Sequence, residues 1–579
     1  MIVPDTPIAV ADTSGTQALL RCWVRENDLA PPLDGMLRIE LPVSGTSVQA
    51  PVERWSAVGW HRFGPARFAG GAPLDAVTLA ALLTAESAQR RASGEHQRAA
   101  AAAAVADLTG QVCDSVRRVA RYVAQRRARP QDPACTTPFL AAEQALLLGH
   151  PLHPTPKSRD GLSDAEAAQY SPELRGSFPV HWFAADPSVV SADSALPTPA
   201  AELTRALAGK QLRLPPDMVA VPAHPWQARD VLTRPGIREL VDRGLLHDLG
   251  TAGPVWFPTS SVRTVYRADA PVMLKLSLGL RITNSKRENL RLELHRGVQV
   301  CRLLAAGLGA ALSAAHPGFA IVTDPAWLAV DAPGERAESG LEVMLRDNPF
   351  GAAEPVACVA GLIAERPDRP DGRSRLAGLV QQLATRTGRP LPEVTVEWFT
   401  RYLDAVVRPV LWLYATHGLG LEAHQQNTLV VLDADGWPVG GRYRDNQGYY
   451  FSATRSGGLS RWLPGAGRGL GTLCTDEVID ERLGYYVGIN NVLGMVGAMG
   501  SQELADERAL LISVRELLTS LVRTHGAALP LATALLEAPT LRCKANLLTR
   551  VDGLDELIGP LEAQSVYVDM TNPVREASR

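Results

Sequence analysis

The sequence predicts an α+β protein in which helical segments at both ends flank a central run of antiparallel strands. Between residues 74 and 128, apolar residues recur at steps of three and four, as they do on one face of a helix. From 217 to 282, short apolar runs alternate with turn signals, which is typical of antiparallel strands. From about 395 onwards the pattern is helical again, except for one hairpin.

The composition excludes some classes of partner. The chain has 579 residues, 46% of them hydrophobic, which suits several domains or one large enzyme with lobes. Its 58 lysine and arginine residues nearly balance 61 aspartate and glutamate residues, for a net charge of −3. Because there is no overall basic field, we expect neither nucleic acid nor a membrane as a partner. Because the overall charge is nearly neutral, local clusters of lysine and arginine indicate a binding site for an anionic ligand.

The N-terminus and the cysteines indicate a cytoplasmic protein. The opening segment MIVPDTPIAVADTSG has no basic region before an apolar run, so no secretory signal is predicted. The seven cysteines are scattered and form no CxxC pair, which is typical of reduced thiols and provides no zinc site. The apolar stretch at 303–315 is too short for a membrane span and is predicted to be a buried helix.

The remaining elements follow in chain order. Three prolines end the helical pattern of 74–128, and a second helix is predicted at about 139–149. Residues 186–200 are rich in proline, serine and alanine and are predicted to be a linker or surface loop. Residues 285–312 have the pattern of one long helix, and the charged segment 365–375 is predicted to be a loop.

Lys275 lies in an apolar predicted strand, between Leu274 and Leu276. Such a lysine either lies on a solvated face or points into a cleft, and the strand alone favours the solvated face. The string RITNSKRE that follows favours the cleft instead, because it adds cations and hydroxyls just before the predicted helix.

The start of that helix is a candidate anion site. Thr283, Asn284 or Ser285 can serve as the N-cap, and the free N–H groups of a helix N-terminus favour anions. Lys286 and Arg287 would stand in the first turn, where positive charge opposes the helix dipole unless an anion binds. The alternative is an ordinary capped helix with solvated basic residues.

A hydroxyl-rich loop, PTSSVRT at 258–264, precedes the strand that carries Lys275. Thr259, Ser260 and Ser261 can donate to phosphate or carboxylate oxygens, and Arg263 can bind either group with two hydrogen bonds. Alone, this string is an ordinary turn. The chain has no GxxxxGK[ST] motif and its GAGRGLGT string fails the GxGxxG spacing, so a nucleotide would need another kind of site.

A predicted hairpin centred near residue 436 brings Asn427 and Asp445 to the same open end. An amide oxygen and a carboxylate there, together with phosphate oxygens and water, suit Mg²⁺. The arrangement is similar to the metal-binding pair of protein kinases. The alternative is a hairpin with polar capping ends. Three more polar residues lie just upstream: Glu422, His424 and Gln426.

His150, His153 and His224 each precede a proline and are therefore expected to be extended. The first two can point to one side of the chain, with Lys157, Ser158 and Arg159 following. Two histidines without further histidine or cysteine ligands nearby do not form a zinc site. The basic residues that follow them are better explained by a positively charged pocket for a polycarboxylate. The alternative is a pair of rigid His-Pro turns.

In combination these strings resemble the NRPS-independent siderophore synthetases of the IucA/IucC (aerobactin synthetase-like) family. The resemblance covers residues 135–575 and includes a C-terminal part that is similar to the FhuF region. It rests on HPLHPTPKSRDG at 150–161, on KLSLGLRITNSKR at 275–287, and on the pair HQQN at 424–427 and RDNQG at 444–448.

The resemblance implies a hand-like architecture of helical thumb (1–185), fingers with an antiparallel sheet (186–394) and mostly helical palm (395–579). Homodimers are common in the family. The implied activity is that of an EC 6.3-type acid–amine or acid–alcohol ligase with Mg²⁺. A carboxylate of citrate or a related acid attacks the α-phosphate of ATP, and a nucleophile then displaces AMP. Cations must bring the carboxylate and the triphosphate together, because these groups repel each other.

The resemblance also implies a role for each matching residue. The catalytic residues would be Lys275, Thr283, Arg287 and His424. The ATP site would be formed by Ser260, Ser261, Arg263, Thr264, Lys275, Asn284, Gln426 and Arg346, the last near the base. The carboxylate pocket would be formed by His153, Lys157, Ser158, Arg159, Arg287 and His424. The metal ligands would be Asn427 and Asp445, with Glu422 as a third. Lys544 and Arg550 lie in a family-like segment without an assigned role.

Alternatives stay open at the level of the sequence. The residues of the HPTPKSR string favour free citrate as the acid that is activated. The alternative acids are a citryl half-amide and a succinyl-hydroxamate. The nucleophile can be an amine, an amino acid or an alcohol. A kinase-like phosphotransferase would use the same Lys275, Asn427 and Asp445, although Glu422 stands where a kinase has its catalytic aspartate. A non-catalytic citrate or siderophore binder would leave the predicted Mg²⁺ hairpin unexplained.

Overall fold

The computed structural model describes residues 5–91, 95–210, 212–283, 285–334, 338–445, 447–554 and 564–577. Its N-terminal part combines helices with a small sheet. The elements are α1 Pro7–Glu26, β1 Met36–Leu41, β2 Thr46–Arg54, β3 Arg62–Phe63, β4 Arg67–Phe68, α2 Ala76–Arg91 and α3 Glu95–Ala128. The predicted helical character of 74–128 is thus confirmed on both sides of residues 92–94, which lie outside the described residues. The four-stranded sheet was not predicted.

The middle of the chain is built around one large sheet. Its elements are α4 Pro138–Glu143, α5 Asp164–Tyr170, β5 Phe178–Ala185, β6 Val190–Ser194, α6 Ala200–Ala208, β7 Val219–Ala223, α7 Pro225–Val231, α8 Pro235–Asp242, β8 Leu246–Pro258, β9 Thr264–Tyr266, β10 Val272–Leu276, β11 Leu278–Ile282, β12 Ser285–Arg287, α9 Arg291–Leu303, α10 Gly309–Ala315, β13 Phe319–Val322, β14 Ala326–Val330, β15 Val343–Asp347, β16 Val356–Cys358 and α11 Val359–Ile363. Eight of these strands form a sheet in the order β6-β14-β15-β10-β9-β8-β5-β7. Every neighbouring pair in it is antiparallel, as predicted.

The C-terminal part is mostly helical. Its elements are α12 Arg375–Thr387, α13 Leu391–Tyr402, α14 Arg408–His417, β17 Leu419–Leu421, β18 Thr428–Leu432, β19 Pro438–Arg444, β20 Tyr449–Ser452, β21 Leu473–Cys474, α15 Asp476–Leu483, α16 Gly494–Ser501, α17 Glu507–His525, α18 Pro530–Glu537, β22 Thr540–Lys544, α19 Asn546–Val551, β23 Tyr567–Thr571 and α20 Pro573–Glu576. The predicted hairpin is β18–β19. Five short strands besides the hairpin were not predicted.

The most consequential correction concerns the predicted helix at 285–312. Residues Ser285–Arg287 form β12, which pairs with β11 in a hairpin, and the helix begins only at Arg291. Thr283 has a left-handed φ of +56°, which turns the chain back sharply instead of starting a helix. Leu290 precedes the helix, so Thr283 and Ser285 are not its N-caps and Arg287 is not in its first turn. The third candidate, Asn284, lies outside the described residues.

Three smaller predictions also change. The predicted linker at 186–200 contains β6, an edge strand whose small polar residues suit that position. The helix predicted at 139–149 ends at Glu143. The stretch predicted as a buried helix at 303–315 spans the end of α9, a π-helical turn and α10, and many of its residues are exposed. Residues 364–374 form no helix, and the predicted loop there is confirmed.

One helical stretch in the described part of the chain, Arg291–Ala315, is long and apolar enough to meet the length and hydropathy of a membrane span. Core helices of soluble proteins pass the same test, so this is weak evidence.

Candidate active site

A single large cavity of about 920 Å³ contains nearly all of the predicted site residues. It lies where the loops of the large sheet, the β18–β19 hairpin and the N-terminal part meet. The predicted residues that line it are His153, Lys157, Arg159, Ser260, Ser261, Arg263, Thr264, Lys275, Thr283, Arg287, Arg346, Glu422, His424, Gln426, Asn427 and Asp445. Ser158 is buried but does not line the cavity. Asn284 lies outside the described residues.

Lys275 points into this cavity and not towards a solvated face. It stands on β10, paired with Thr264 of β9 and Met344 of β15, and is 4% exposed. Its Nζ donates to Oδ1 of Asp445 at 2.9 Å. Burial lowers the pKa of Lys275 to about 8, although the Asp445 carboxylate opposes the shift. The strand thus holds a cation beside the open end of the β18–β19 hairpin, although Asp445 is 170 residues away in sequence.

The hydroxyl loop between β8 and β9 is closed on itself. The backbone N–H of Thr259 donates to the Thr264 carbonyl at 2.9 Å, and Ser261 Oγ accepts from Thr264 N–H at 3.1 Å. Val262 has a left-handed φ of +68°, which is strained for a β-branched residue. Strain of this kind is concentrated at functional sites.

The hydroxyls of this loop are not equivalent. The backbone N–H and the hydroxyl of Ser260 both donate to the same oxygen of Glu143, at 2.9 and 2.8 Å. The hydroxyl proton of Ser260 is therefore not available to a ligand. Thr264 Oγ1 is buried, lines the cavity and has no hydrogen-bond partner among the described residues. A buried hydroxyl without a partner is costly, so Thr264 is the better candidate for a ligand contact.

Two arginines connect the hydroxyl loop with the β11–β12 hairpin. Arg263 is buried and donates to the Arg287 carbonyl at 2.8 Å and to Oδ1 of Asn289 at 3.0 Å. Burial lowers the pKa of Arg263 to about 10. Arg287 donates to the Ile282 carbonyl and to the Thr283 hydroxyl, at 3.1 and 2.9 Å. These bonds fix the Arg287 guanidinium across its own turn, facing the cavity.

The open end of the β18–β19 hairpin has the predicted pair. Thr428 pairs with Tyr443, so Asn427 and Asp445 lie side by side, with Asn427 Nδ2 3.5 Å from Asp445 Oδ2. The Asn427 amide also donates to the Glu422 carbonyl at 3.2 Å. Arg346, predicted near the nucleotide base, approaches Asp445 to 4.0 Å and binds Asp324 with two hydrogen bonds.

His424 is held as a neutral donor. Its Nδ1 accepts from the N–H groups of Gln426 and Asn427, at 3.2 and 3.3 Å, which leaves the proton on Nε2. Burial lowers the pKa of His424 to about 4. Nε2 lies 3.9 Å from a Glu422 oxygen. At neutral pH the ring therefore offers one N–H and no positive charge.

The pocket predicted to be positive is partly neutralised by a residue that sequence reasoning missed. Glu173 is 1% exposed and accepts from both Lys157 Nζ at 2.5 Å and Arg159 Nη2 at 2.6 Å. These two cations lower the pKa of Glu173 to about 2 in spite of its burial. The group of three keeps a net charge of about +1. The sequence contains one indication that Glu173 pairs with these cations: its string SPELRG follows the His-Pro segment within about a dozen residues.

Replacing Glu173 with glutamine is expected to lower the free energy of unfolding by about 3–5 kcal/mol, because it leaves two buried cations without their carboxylate. Chemical denaturation would measure the change. The matched control is Glu239→Gln, which removes an exposed pair with Arg243 and should cost under about 1 kcal/mol. Equal effects of the two variants would contradict the buried-pair interpretation.

Other residues at the cavity were not predicted as site residues. Arg444 donates to Glu143 at 2.7 Å and to the Gln426 carbonyl at 3.0 Å, and so supports the carboxylate that holds Ser260. Lys544, which had no assigned role, is buried and lines the cavity. Arg550 instead binds Gln111 at 2.6 Å and does not line it. Further lining residues are Tyr485, Tyr486, Asn490 and Asn546.

Comparison with known proteins gives concordant results. The IucA / IucC family model matches residues 138–364, and a model described as ferric iron reductase FhuF-like transporter matches residues 396–559. The rhizobactin siderophore biosynthesis protein RhbC of Rhizobium meliloti is 44% identical over 448 residues, which cover 76% of each chain. The spermidine-citrate ligase of Bacillus anthracis is 38% identical, over 76% of this chain and 74% of its own. The ATP-bound structure of aerobactin synthetase IucA from Klebsiella pneumoniae superposes with a TM-score of 0.86 at 28% identity, over 97% of this chain and 99% of that one.

Proposed function

Because the chain belongs to the IucA/IucC family, we propose that its cavity adenylates free citrate with ATP and transfers the citryl group to a nucleophile. It is an ATP-dependent ligase of siderophore biosynthesis, as its relatives are. The observation that supports the proposed site is the convergence of three distant segments in one cavity. The hydroxyl loop, Lys275 and the Asn427–Asp445 hairpin end all line it.

The phosphates of ATP would lie between the hydroxyl loop and the hairpin end. Lys275, Arg263, Thr264 and Ser261 face this region, and Arg346 adds charge next to Asp445. Several cations around one triphosphate lower the repulsion that the incoming carboxylate meets. Ser260 and Gln426 hold the loop in place, since Gln426 Nε2 donates to Ser260 Oγ at 3.1 Å.

In the first step a citrate carboxylate oxygen attacks the α-phosphorus, and pyrophosphate leaves. The nitrogen or oxygen of the nucleophile then attacks the acyl carbon, loses its proton, and AMP leaves with the oxygen that came from citrate. Arg287 and Thr283 would stand between the α-phosphate and the acid. His424 Nε2–H would donate to an oxygen at the reacting centre, because the ring is neutral there.

The hairpin end fits Mg²⁺. Asn427, Asp445 and Glu422 supply an amide oxygen and carboxylates, the hard donors that this ion prefers. Phosphate oxygens and water would supply the remaining ligands of the ion. When bound, Mg²⁺ would neutralise the leaving pyrophosphate.

The citrate pocket would include His153, Lys157 and Arg159. With Glu173 this group keeps a net charge of about +1, enough to favour a polycarboxylate without an excess of buried charge. A relative named as a spermidine-citrate ligase supports citrate as the acid. The alternative acid is a citryl half-amide or a succinyl-hydroxamate.

We also infer the larger organisation from the family resemblance. Thumb, fingers and palm would follow one another along the chain. The predicted start of the fingers at residue 186 would move to about 178, because β5 pairs with β7 and β8 of the large sheet. A homodimer in the cytoplasm is expected on the same basis.

Replacing Thr264 with valine is expected to raise the KM for ATP about tenfold, because a phosphate would lose a hydrogen bond of about 1.5 kcal/mol. The fold should change little, since the hydroxyl has no protein partner among the described residues. Steady-state kinetics would measure the KM. In the control Thr204→Val, the lost hydroxyl binds the Ala201 carbonyl in α6, and the KM for ATP should not change. An unchanged KM for Thr264→Val would remove this residue from the ATP site.

The proposed function is tested by pyrophosphate release from purified protein with Mg²⁺-ATP and hydroxylamine as surrogate nucleophile. Citrate, succinate and α-ketoglutarate would be offered as acids. Release that depends on citrate supports the proposal. Release with none of these acids would contradict free citrate as the substrate and point to a preformed half-amide.

A further inference from the structure

The cavity extends beyond the proposed ATP and citrate sites into the N-terminal part of the chain. There it is lined by Thr16 and Arg21 of α1, by Trp60 and Arg62, and by Glu365 after α11. At about 920 Å³ it lies near the upper end of the usual range for ligand pockets of about 300–1,000 Å³. No motif in the sequence pointed to this end of the cavity.

Arg21 is a buried cation with an incomplete set of partners. It is 5% exposed, and its Nε donates to the His61 carbonyl at 2.8 Å. The guanidinium carbon lies 5.9 Å from the centre of the Trp60 ring. Its Nη2 is buried without a hydrogen-bond partner among the described residues. Burial and the nearby Arg62 together lower the pKa of Arg21 to about 9.

Within the ranges that the structure describes, the charged side chains that act on Arg21 leave it without a carboxylate of its own, because Glu365 is shared with Arg62. Arg62 is paired with Glu365, whose two oxygens it contacts, with Nη1 at 3.4 Å from Oε2. Arg21, Arg62 and Glu365 together carry a net charge of about +1.

Asp12 and Glu53 also line this end of the cavity, but in the described part of the chain neither forms an ion pair with Arg21, and Asp12 accepts from the Ala76 N–H at 2.8 Å. A second buried atom in this region, Thr16 Oγ1, also has no partner in the described part of the chain. A donor arginine and a hydroxyl that lack acceptors match an anion and not an ammonium group.

We propose that Arg21, with Arg62 beside it, binds a carboxylate of one of the two organic substrates. This inference rests on the proposed function. The carboxylate comes either from citrate, as one that is not activated, or from the nucleophile, which would then be an amino acid and not a plain polyamine. Since the proposed function assigns the triphosphate to the hydroxyl loop and Lys275, a carboxylate is the anion that remains for Arg21.

The test uses Arg21→Gln in two assays of pyrophosphate release. In the first, hydroxylamine is the nucleophile and the KM for citrate is measured. In the second, matched amines are compared at saturating citrate: 2,3-diaminopropanoate with 1,2-diaminoethane, ornithine with 1,4-diaminobutane, and lysine with 1,5-diaminopentane. Each pair differs only by the carboxylate. Loss of one charge-assisted arginine–carboxylate contact changes binding about tenfold or more.

A rise of about tenfold in the KM for citrate, seen already with hydroxylamine, assigns the contact to citrate. An unchanged KM for citrate, with about a tenfold loss of the preference for the carboxylate-bearing amines, assigns it to the nucleophile. If Arg21→Gln changes neither value, the proposal is overturned. The proposal is also overturned if the rates of pyrophosphate release with both amines of every pair and with hydroxylamine all decrease by the same factor, since an equal decrease indicates a structural role of Arg21.

Two further variants separate binding from folding. Arg25→Gln is the matched control, because Arg25 lies one turn further along α1, donates to the Val58 carbonyl at 3.0 Å and does not line the cavity. It should keep the citrate KM and the amine preference of the wild type. Arg21→Lys keeps the charge and should restore part of the lost affinity. If the wild type releases no pyrophosphate with citrate and hydroxylamine, the proposed function itself fails before the subsite is reached.

Discussion

Replacing Lys275 with alanine is expected to reduce citrate-dependent pyrophosphate release by about 10³-fold or more, equivalent to about 4 kcal/mol of transition-state stabilisation. Lys275 stands on a central strand with its Nζ 2.9 Å from Asp445, where the proposed triphosphate would lie. Within a buried site one cation acts more strongly on a developing charge than it would in water. The rate of pyrophosphate release under saturating ATP and citrate would measure the loss.

The same change should leave the protein folded. Asp445 loses its Lys275 partner, but the Arg346 guanidinium still lies 4.0 Å away. We expect the free energy of unfolding to fall by about 1–3 kcal/mol, which denaturant titration would show. Lys210→Ala is the matched control, because Lys210 is exposed and does not line the cavity. A Lys275→Ala protein that keeps more than a tenth of the wild-type rate would place the ATP site elsewhere.

Replacing Arg287 with alanine is expected to have an effect of similar size, about 10²–10³-fold on kcat/KM for citrate. The Arg287 guanidinium is held by the Ile282 carbonyl and the Thr283 hydroxyl and faces the cavity. It would stand between the α-phosphate and citrate, so its loss restores the repulsion between two anions. Initial rates at varied citrate would give kcat/KM.

The neighbouring residue provides a sharp control. Lys286 precedes Arg287 on β12 and is exposed, because successive side chains of a strand point to opposite faces. Lys286→Ala should therefore keep kcat/KM within about twofold of the wild type. An equal decrease of kcat/KM in Lys286→Ala and Arg287→Ala would indicate that the loss of one positive charge acts over a long distance. The proposed position of Arg287 between the α-phosphate and citrate would then be wrong.

The sequence was sufficient for the features that local patterns determine. The β18–β19 hairpin followed from its turn and its flanking apolar runs, and it brought Asn427 and Asp445 together as expected. The antiparallel pairing of the large sheet was predictable in the same way. The convergence of that hairpin on Lys275 was not, because it depends on contacts between segments about 170 residues apart.

The wrong prediction at Ser285–Arg287 has a physical cause. The string from 283 to 290 is compatible with a helix N-terminus, but a left-handed Thr283 and pairing with β11 stabilise a hairpin instead. Tertiary pairing overrides local preference at such places. Arg287 still reaches the cavity from β12, so the proposed site needs the cluster of cations and not a helix dipole.

The buried carboxylates that hold the site residues were the least visible feature. Glu173 and Glu143 each hold a site residue, yet nothing in their local sequence distinguishes them from surface carboxylates. The part of the cavity that Arg21 lines could not be predicted from the sequence, for a related reason. An arginine on an amphipathic helix is normally solvated, and only the packing of Trp60 and His61 shows that this one is buried.

The most direct test of adenylation is the transfer of an isotope from citrate to AMP. The protein would be incubated with Mg²⁺-ATP, an amine nucleophile and citrate labelled with ¹⁸O in its carboxylates, and the nucleotide product would be analysed by mass spectrometry. Attack of a carboxylate oxygen on the α-phosphorus predicts AMP that carries one ¹⁸O atom. Formation of ADP, or of AMP without the label, would contradict the account.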